Sequence, residues 1–393
     1  MTTLHTRPRR LRSSTRRRRR RPILARWDRS IEGLLYKRQA QIPRAGPEGP
    51  PLDLPRKLFP ALADNSFTYL NSGGSGPPTR ETIEAMRELD DLCSGPAYLE
   101  GVGLYAHQRD AYARARGAAA RLLNTAPDDL ALTTSSTHGM NLGTFSIDWR
   151  EGDGILSARP EHPGCLVPLH EAAHRYGAEV RLLDPPITPE KIAAAITPKT
   201  RLVALSHVDW TTGEELALRE ICSLARERGV LTLVDGAQGA GNVPVDMQSL
   251  DPDMYAFTGH KWVLGPEGMG ALYVRPGLFE EGLHSTNIGF MSLTDPAAFD
   301  AEGGYREKLH TGARRFESST MSPALAAGFA AAAEAVEERG AEGFREIRRR
   351  ADGLMDLLSG QPRVTIRSPR PAHSGLVAFE IEGVPRKRPR RNS

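Results

Sequence analysis

The chain is 393 residues long, 39% hydrophobic and 25% charged, with three cysteines. Such a length and composition suit a globular enzyme of one large and one smaller domain, and exclude a collagen, a mucin or a mini-protein. Lys and Arg number 52 against 48 Asp and Glu, for a net +4, but unevenly: the first thirty residues hold twelve Arg and one acid, the last ten hold five basic residues and no acid, and the body between carries −12.

No stretch reaches the about 18 apolar residues that suggest a membrane span. The opening is basic but lacks the apolar run of an export signal. Cys93, Cys165 and Cys222 have no metal-ligand spacing, so no metal is expected, and a reducing, cytoplasmic setting is. The Arg16–Arg21 run could touch phosphates nonspecifically. No zinc, helix-turn-helix or aromatic signature accompanies it, so a nucleic-acid partner is not expected.

Residues 1–60, Arg-rich and then Pro/Gly-rich, read as a disordered extension, with a short helix possible over Ile31–Gln39. Order begins at Phe67. The turn Asn71-Ser72-Gly73-Gly74-Ser75-Gly76 lets backbone N–H groups approach a ligand, or is only a loop, and Thr79 can cap a helix continuing through Arg80 and Glu81. From Asp128, short apolar runs alternate with amphipathic stretches. Strands are expected at Leu130–Thr133, Gly154–Ser157, Glu179–Leu183, Thr200–Ser206, Leu231–Asp235, Met254–Phe257 and Met269–Val274. Helices are expected at Gly139–Phe145, Val167–Tyr176, Glu190–Ile196, Ala217–Arg228 and Pro323–Arg339. That alternation predicts an α/β fold, a mostly parallel sheet covered on both faces, with reactive groups at the carboxyl ends of the strands.

Four places gather chemistry. In Thr258-Gly259-His260-Lys261-Trp262, Lys261 follows an apolar run and precedes a glycine-rich turn; a desolvated lysine there can form a Schiff base, or be an ordinary strand-end lysine. Leu231–Asp235 delivers a carboxylate 26 residues before Lys261, with Gln238 three residues on. Such an acid can hold a pyridine nitrogen protonated, cap a helix or bind a metal. Thr133–Thr137 enters a helix with several hydroxyls, as an anion site or a simple cap. In Pro160-Glu161-His162-Pro163-Gly164, His162 can stack on a planar ring or be structural. Arg314 and Arg315 can hold a carboxylate or phosphate, or form surface ion pairs.

Together these features resemble the class V aminotransferase family of pyridoxal-phosphate enzymes, which includes cysteine desulfurases, selenocysteine lyases, kynureninase-like enzymes and the isopenicillin N epimerase group. The likeness runs from about Phe67 to Gly383 and rests on the E-H turn, the S-H-V strand, V-D-G-A-Q and T-G-H-K-W. It implies fold type I, with a seven-stranded, mostly parallel sheet in a large domain (61–330) and an incomplete small α/β domain with a basic tail (331–393). It implies pyridoxal 5′-phosphate on Lys261, paired through its ring nitrogen with Asp235, contacted by Gln238 and stacked on His162. Ser136, Thr137 and His260 would hold the phosphate. Thr320 would reach the phosphate of a neighbouring subunit, making a homodimer. Asn71 and Gly74 would line the substrate carboxylate, with Arg314, Arg315 or Arg370 as its clamp.

Within the family, Y-L-N-S-G-x-x-G-P, Ser206–Gly213 and Ala372–Leu376 look most like the isopenicillin N epimerase group. Epimerisation at the α-carbon of an amino acid or peptide-like amino acid is therefore expected, with a C–S lyase, an aminotransferase, or an inactive scaffold or interaction protein as alternatives. Trp210 stands where desulfurases place an asparagine, and no cysteine follows Cys222, which speaks against persulfide formation on the protein. The sequence after Val384 reads as a truncated end.

Overall fold

The computed structural model describes residues 56–63, 68–96 and 102–384. The expected helix at Ile31–Gln39, and nearly all of the expected 1–60 extension, lie outside the described residues.

Seven strands form the central sheet: β1 (Leu130–Thr133), β2 (Gly154–Ala158), β3 (Glu179–Leu183), β4 (Thr200–Ser206), β5 (Leu231–Asp235), β6 (Met254–Thr258) and β7 (Gly270–Val274). Their spatial order is β1-β7-β6-β5-β4-β2-β3. From β6 to β3 all neighbours run parallel, while β7 is antiparallel to both β6 and β1. The fold is thus the expected α/β type, with the mostly parallel seven-stranded sheet of fold type I.

Helices α1 (Arg80–Ser94), α2 (Val102–Leu123), α3 (Ser136–Phe145), α4 (Pro163–Tyr176), α5 (Pro189–Ala195), α6 (Leu218–Glu227), α7 (Met247–Leu250) and α8 (Pro323–Ser359) surround it. The strands are apolar throughout because both faces are covered. Successive residues point to opposite faces, so Leu130, Leu132, Val203, Leu205, Tyr255 and Phe257 pack with alanines of α2 and α8 and with Ile221 of α6. Their alternates Ala131, Leu202, Ala204, Met254 and Ala256 pack against Met140 of α3 and Leu169 of α4. β3, at the sheet edge, exposes Glu179 and Arg181.

Thr79 caps α1 as expected, accepting the Thr82 N–H at 3.2 Å. α2 is an addition to the expected elements. α3 and α4 begin earlier than their apolar periodicity indicates, because Ser135 and His162 act as N-caps. α8 runs beyond Arg339 to Ser359 and bends at Gly340, where φ is +54°. Positive φ suits glycine, which has no Cβ to clash. The expected domain division at 330/331 falls inside this helix. After α8, β8 (Val364–Ile366) and β9 (Phe379–Ile381) pair antiparallel. No described helix is long and apolar enough to cross a membrane.

Candidate active site

Strand ends, one helix start and two loops enclose a cleft of about 490 Å³. Its walls include Asn71, Gly74, Ser136, Thr137, His162, Gln238, His260 and Lys261 from the expected set.

β5 delivers Asp235 to its carboxyl end, 4% exposed. Burial pushes its carboxyl pKa up, opposed by the Ala237 N–H, which it accepts at 3.0 Å, and by the charges of Lys261 and His162. Lys261 lies just past β6. Burial pulls its ammonium pKa down, against the Asp235 charge that holds it up. Desolvation is what favours the free, nucleophilic amine here, and the neighbouring carboxyl opposes it.

Gly76 shapes this floor. Its N–H donates to His260 O at 2.7 Å, and a Cβ at this position would lie 2.2 Å from Lys261 O. Only a residue without a side chain lets the Asn71–Gly76 turn lie against the lysine loop.

His162 Nδ1 accepts the Gly164 N–H at 3.0 Å, so the neutral ring carries its proton on Nε2. Burial, then the Lys261 charge, lowers its pKa and favours that neutral form. Trp210 meets His162 edge-on, with centroids 5.2 Å apart and planes at 86°, and its indole N–H donates to Pro160 O at 2.5 Å. Behind this turn, buried Glu161 accepts the Ser206 N–H at 2.7 Å and the Ser206 hydroxyl.

Ser136 and Thr137 open α3, while Ser135 supplies the cap by accepting the His138 N–H at 3.1 Å. Unpaired N–H groups and hydroxyls at the start of a ten-residue helix form an anion-binding end. His260 stands beside it, Nδ1 2.7 Å from Thr258 Oγ1, its pKa lowered by burial.

The remaining expected residues are elsewhere. Arg314 is 4.0 Å from Asp128, and Arg315 donates to His310 O and covers the Phe279 ring. Arg370 pairs with Asp356 at 2.6 Å. None of the three arginines lines the cleft, and neither does Thr320, which is exposed. Leu70, Ala237, Thr258 and Leu376 line it without having been expected. Leu376 arrives on a loop held by Ser374 Oγ–H donating to Gly213 O at 2.8 Å, a contact between segments far apart in sequence. Cys93, Cys165 and Cys222 are absent from the lining.

The family model for aminotransferase class V matches residues 68–388. The chain belongs to the class-V aminotransferase family. Class-V aminotransferases are pyridoxal-phosphate enzymes acting on amino acids, and the cleft and its surroundings offer a matching donor set: a helix start with free N–H groups and a desolvated lysine in the lining, and the buried Asp235 carboxyl behind it. Among curated relatives, a cysteine desulfurase of Escherichia coli O157:H7 is 31% identical over 84% of this chain and 82% of its own length. Isopenicillin N epimerase of Streptomyces clavuligerus is 32% identical over 81% and 82%. Among solved structures, the cystine C–S lyase C-DES, in complex with its reaction product cysteine persulfide, superposes with a TM-score of 0.75 at 33% identity, over 82% of this chain and 86% of that one. Class-V likeness of nearly equal strength to desulfurase, lyase and epimerase does not single out the isopenicillin N epimerase group. The narrower kinship expected from the sequence gives way to the family as a whole.

Proposed function

We propose that this chain is a pyridoxal-phosphate-dependent lyase that breaks the Cβ–S bond of a cysteine-derived amino acid. The observation that carries the reading is the cleft itself: Lys261 and neutral His162 line it, buried Asp235 acts on both from behind the wall, and no thiol is among the described lining residues. A thiolate attacking sulfur must reach it; this cleft offers a lysine base instead. Likeness to the cystine lyase supports the same choice.

Ser136, Thr137 and His260 would hold the phosphate, and Asp235 the ring nitrogen. Bound there, pyridoxal phosphate supplies an electron sink for the pair left at Cα. Lys261 removes the Cα proton. The Cβ–S bond then breaks, sulfur leaves with its bonding pair and takes up a proton, and the three-carbon remainder hydrolyses to pyruvate and ammonia. His162, with its proton on Nε2, is a second proton carrier in the cleft. Leu70, Trp210 and Leu376 give the cleft wall its large apolar side chains. Assembly as a homodimer belongs to the same reading, with exposed Thr320 available to a partner.

Epimerisation at Cα is the second reading, favoured by the 32% identity to isopenicillin N epimerase. Both begin with loss of Cα–H. The test is a panel of cysteine, cystine, S-alkyl cysteines and sulfur-free amino acids in deuterated water. Pyruvate and thiol or persulfide release is expected. Deuterated, inverted amino acid without pyruvate would favour epimerisation, and keto acid with retained sulfur would favour transamination. Full binding of pyridoxal phosphate without any Cα exchange would leave a scaffold.

A further inference from the structure

Gln238 is 7% exposed on the cleft wall, and both ends of its amide are held. The Trp262 indole N–H donates to Gln238 Oε1 at 2.6 Å, and Gln238 Nε2–H donates to Gly73 O at 2.9 Å. An indole nitrogen only donates and a peptide carbonyl only accepts. These two partners allow one orientation of the amide, with oxygen toward Trp262 and nitrogen toward Gly73. The second Nε2 hydrogen has no protein acceptor among the described residues. Asn242, fully buried, fixes the backbone of the same residue: its Nδ2–H donates to Gln238 O at 2.9 Å, and its Oδ1 accepts the Gly375 N–H at 2.7 Å.

We propose that Trp262 is a positioning residue, fixing Gln238 as a hydrogen-bond donor toward an electron-rich oxygen of bound pyridoxal phosphate. The inference rests on the cofactor reading above. Reversing the amide would set its oxygen against Gly73 O and its nitrogen against the indole N–H. Removing that N–H frees Gln238 to turn and leaves Oε1 without its partner.

The test is equilibrium binding of pyridoxal phosphate to the stripped full-length protein, together with the pH midpoint of the visible band after loading. Trp262→Phe keeps the ring and loses the N–H. It should bind about three- to tenfold more weakly, the range expected for one hydrogen bond, and should shift the pH midpoint in the same direction as Gln238→Ala. In a Gln238→Ala background, Trp262→Phe should change neither readout. Trp262→His, which keeps a ring N–H, should recover part of the loss. Wild-type-like binding by Trp262→Phe, or an undiminished effect in the Gln238→Ala background, would overturn the inference. Should Trp262→Phe not fold, Gln238→Glu replaces it. That variant keeps an acceptor for Trp262 but removes the donor, so it should bind more weakly than Gln238→Ala, and equal or tighter binding overturns the idea. Failure of the parent to bind the cofactor would remove the cofactor reading and this inference with it. A binding parent with an indifferent Trp262→Phe removes the inference alone.

Discussion

Arg116 and Glu317 form a buried two-point ion pair between residues 201 apart in sequence, at 3.0 and 3.1 Å. The same carboxylate accepts the Leu132 N–H at 2.9 Å, so one acid joins α2, β1 and the segment leading to Thr320. Arg116 Nη1 also donates to Tyr112 O at 3.1 Å.

Breaking that pair from one side leaves an uncompensated buried charge. Glu317→Ala should lower unfolding free energy by about 3–5 kcal/mol. Urea denaturation would measure it. The double change Arg116→Met with Glu317→Leu should recover much of the loss, because no isolated charge remains.

Glu161 should make stability fall with rising pH. Burial lifts its carboxyl from an ordinary 4.5 to about 7. Below the ordinary value the group is protonated folded or unfolded. Between the two values only the folded protein keeps the proton, so stability declines through that window and levels off above about 7. The shift corresponds to about 3 kcal/mol. Glu161→Gln should flatten this part of the profile in denaturation curves recorded from about pH 4 to 8.

Lys261→Ala should abolish borohydride-fixed cofactor and reduce Cα–H exchange at least about a hundredfold, the lower end for loss of a positioned proton carrier. Peptide mapping after reduction and deuterium exchange into substrate check the two halves. Fixed cofactor on another lysine would refute the assignment.

Gly76→Ala forces a methyl group onto the Lys261 carbonyl. Overpacking of this kind costs about 1–3 kcal/mol. The lysine loop or the Asn71–Gly76 turn must move, so cofactor retention on gel filtration should fall more than that of Gly103→Ala, where a Cβ meets nothing within 4 Å.

Much of the sheet was legible because strands buried on both faces read as continuous apolar runs. Leu231–Asp235 has the expected bounds, and Met254–Thr258 is one residue longer. The direction of β7 was not legible, since an apolar run carries no sign of its orientation. α2 escaped notice because its buried face consists largely of alanines, such as Ala115, Ala118 and Ala119, whose small side chains give weak periodicity. Asp235, Lys261 and His162 announced themselves by residue type at strand ends. Leu376 and the Trp262–Gln238 contact did not, because each depends on distant segments closing together. Arg315 shows the converse: its charge drew attention, yet the guanidinium lies 4.0 Å over the Phe279 ring, and composition cannot distinguish that use from a ligand contact.

The reversed strand β7 sets an order of assembly during synthesis. β1 is made first of the seven but pairs only with β7, from Leu130 against Tyr273 to Thr133 against Gly270. While the intervening strands emerge from the ribosome, Leu130 and Leu132 have no neighbouring strand to shield them. The sheet closes only when residue 274 is free, so the nascent chain must carry an unpaired apolar edge from the synthesis of β1 until that of β7. Pairings this distant in sequence are slow to form and open to aggregation in the meantime, and chaperone dependence should appear in chains arrested before β7.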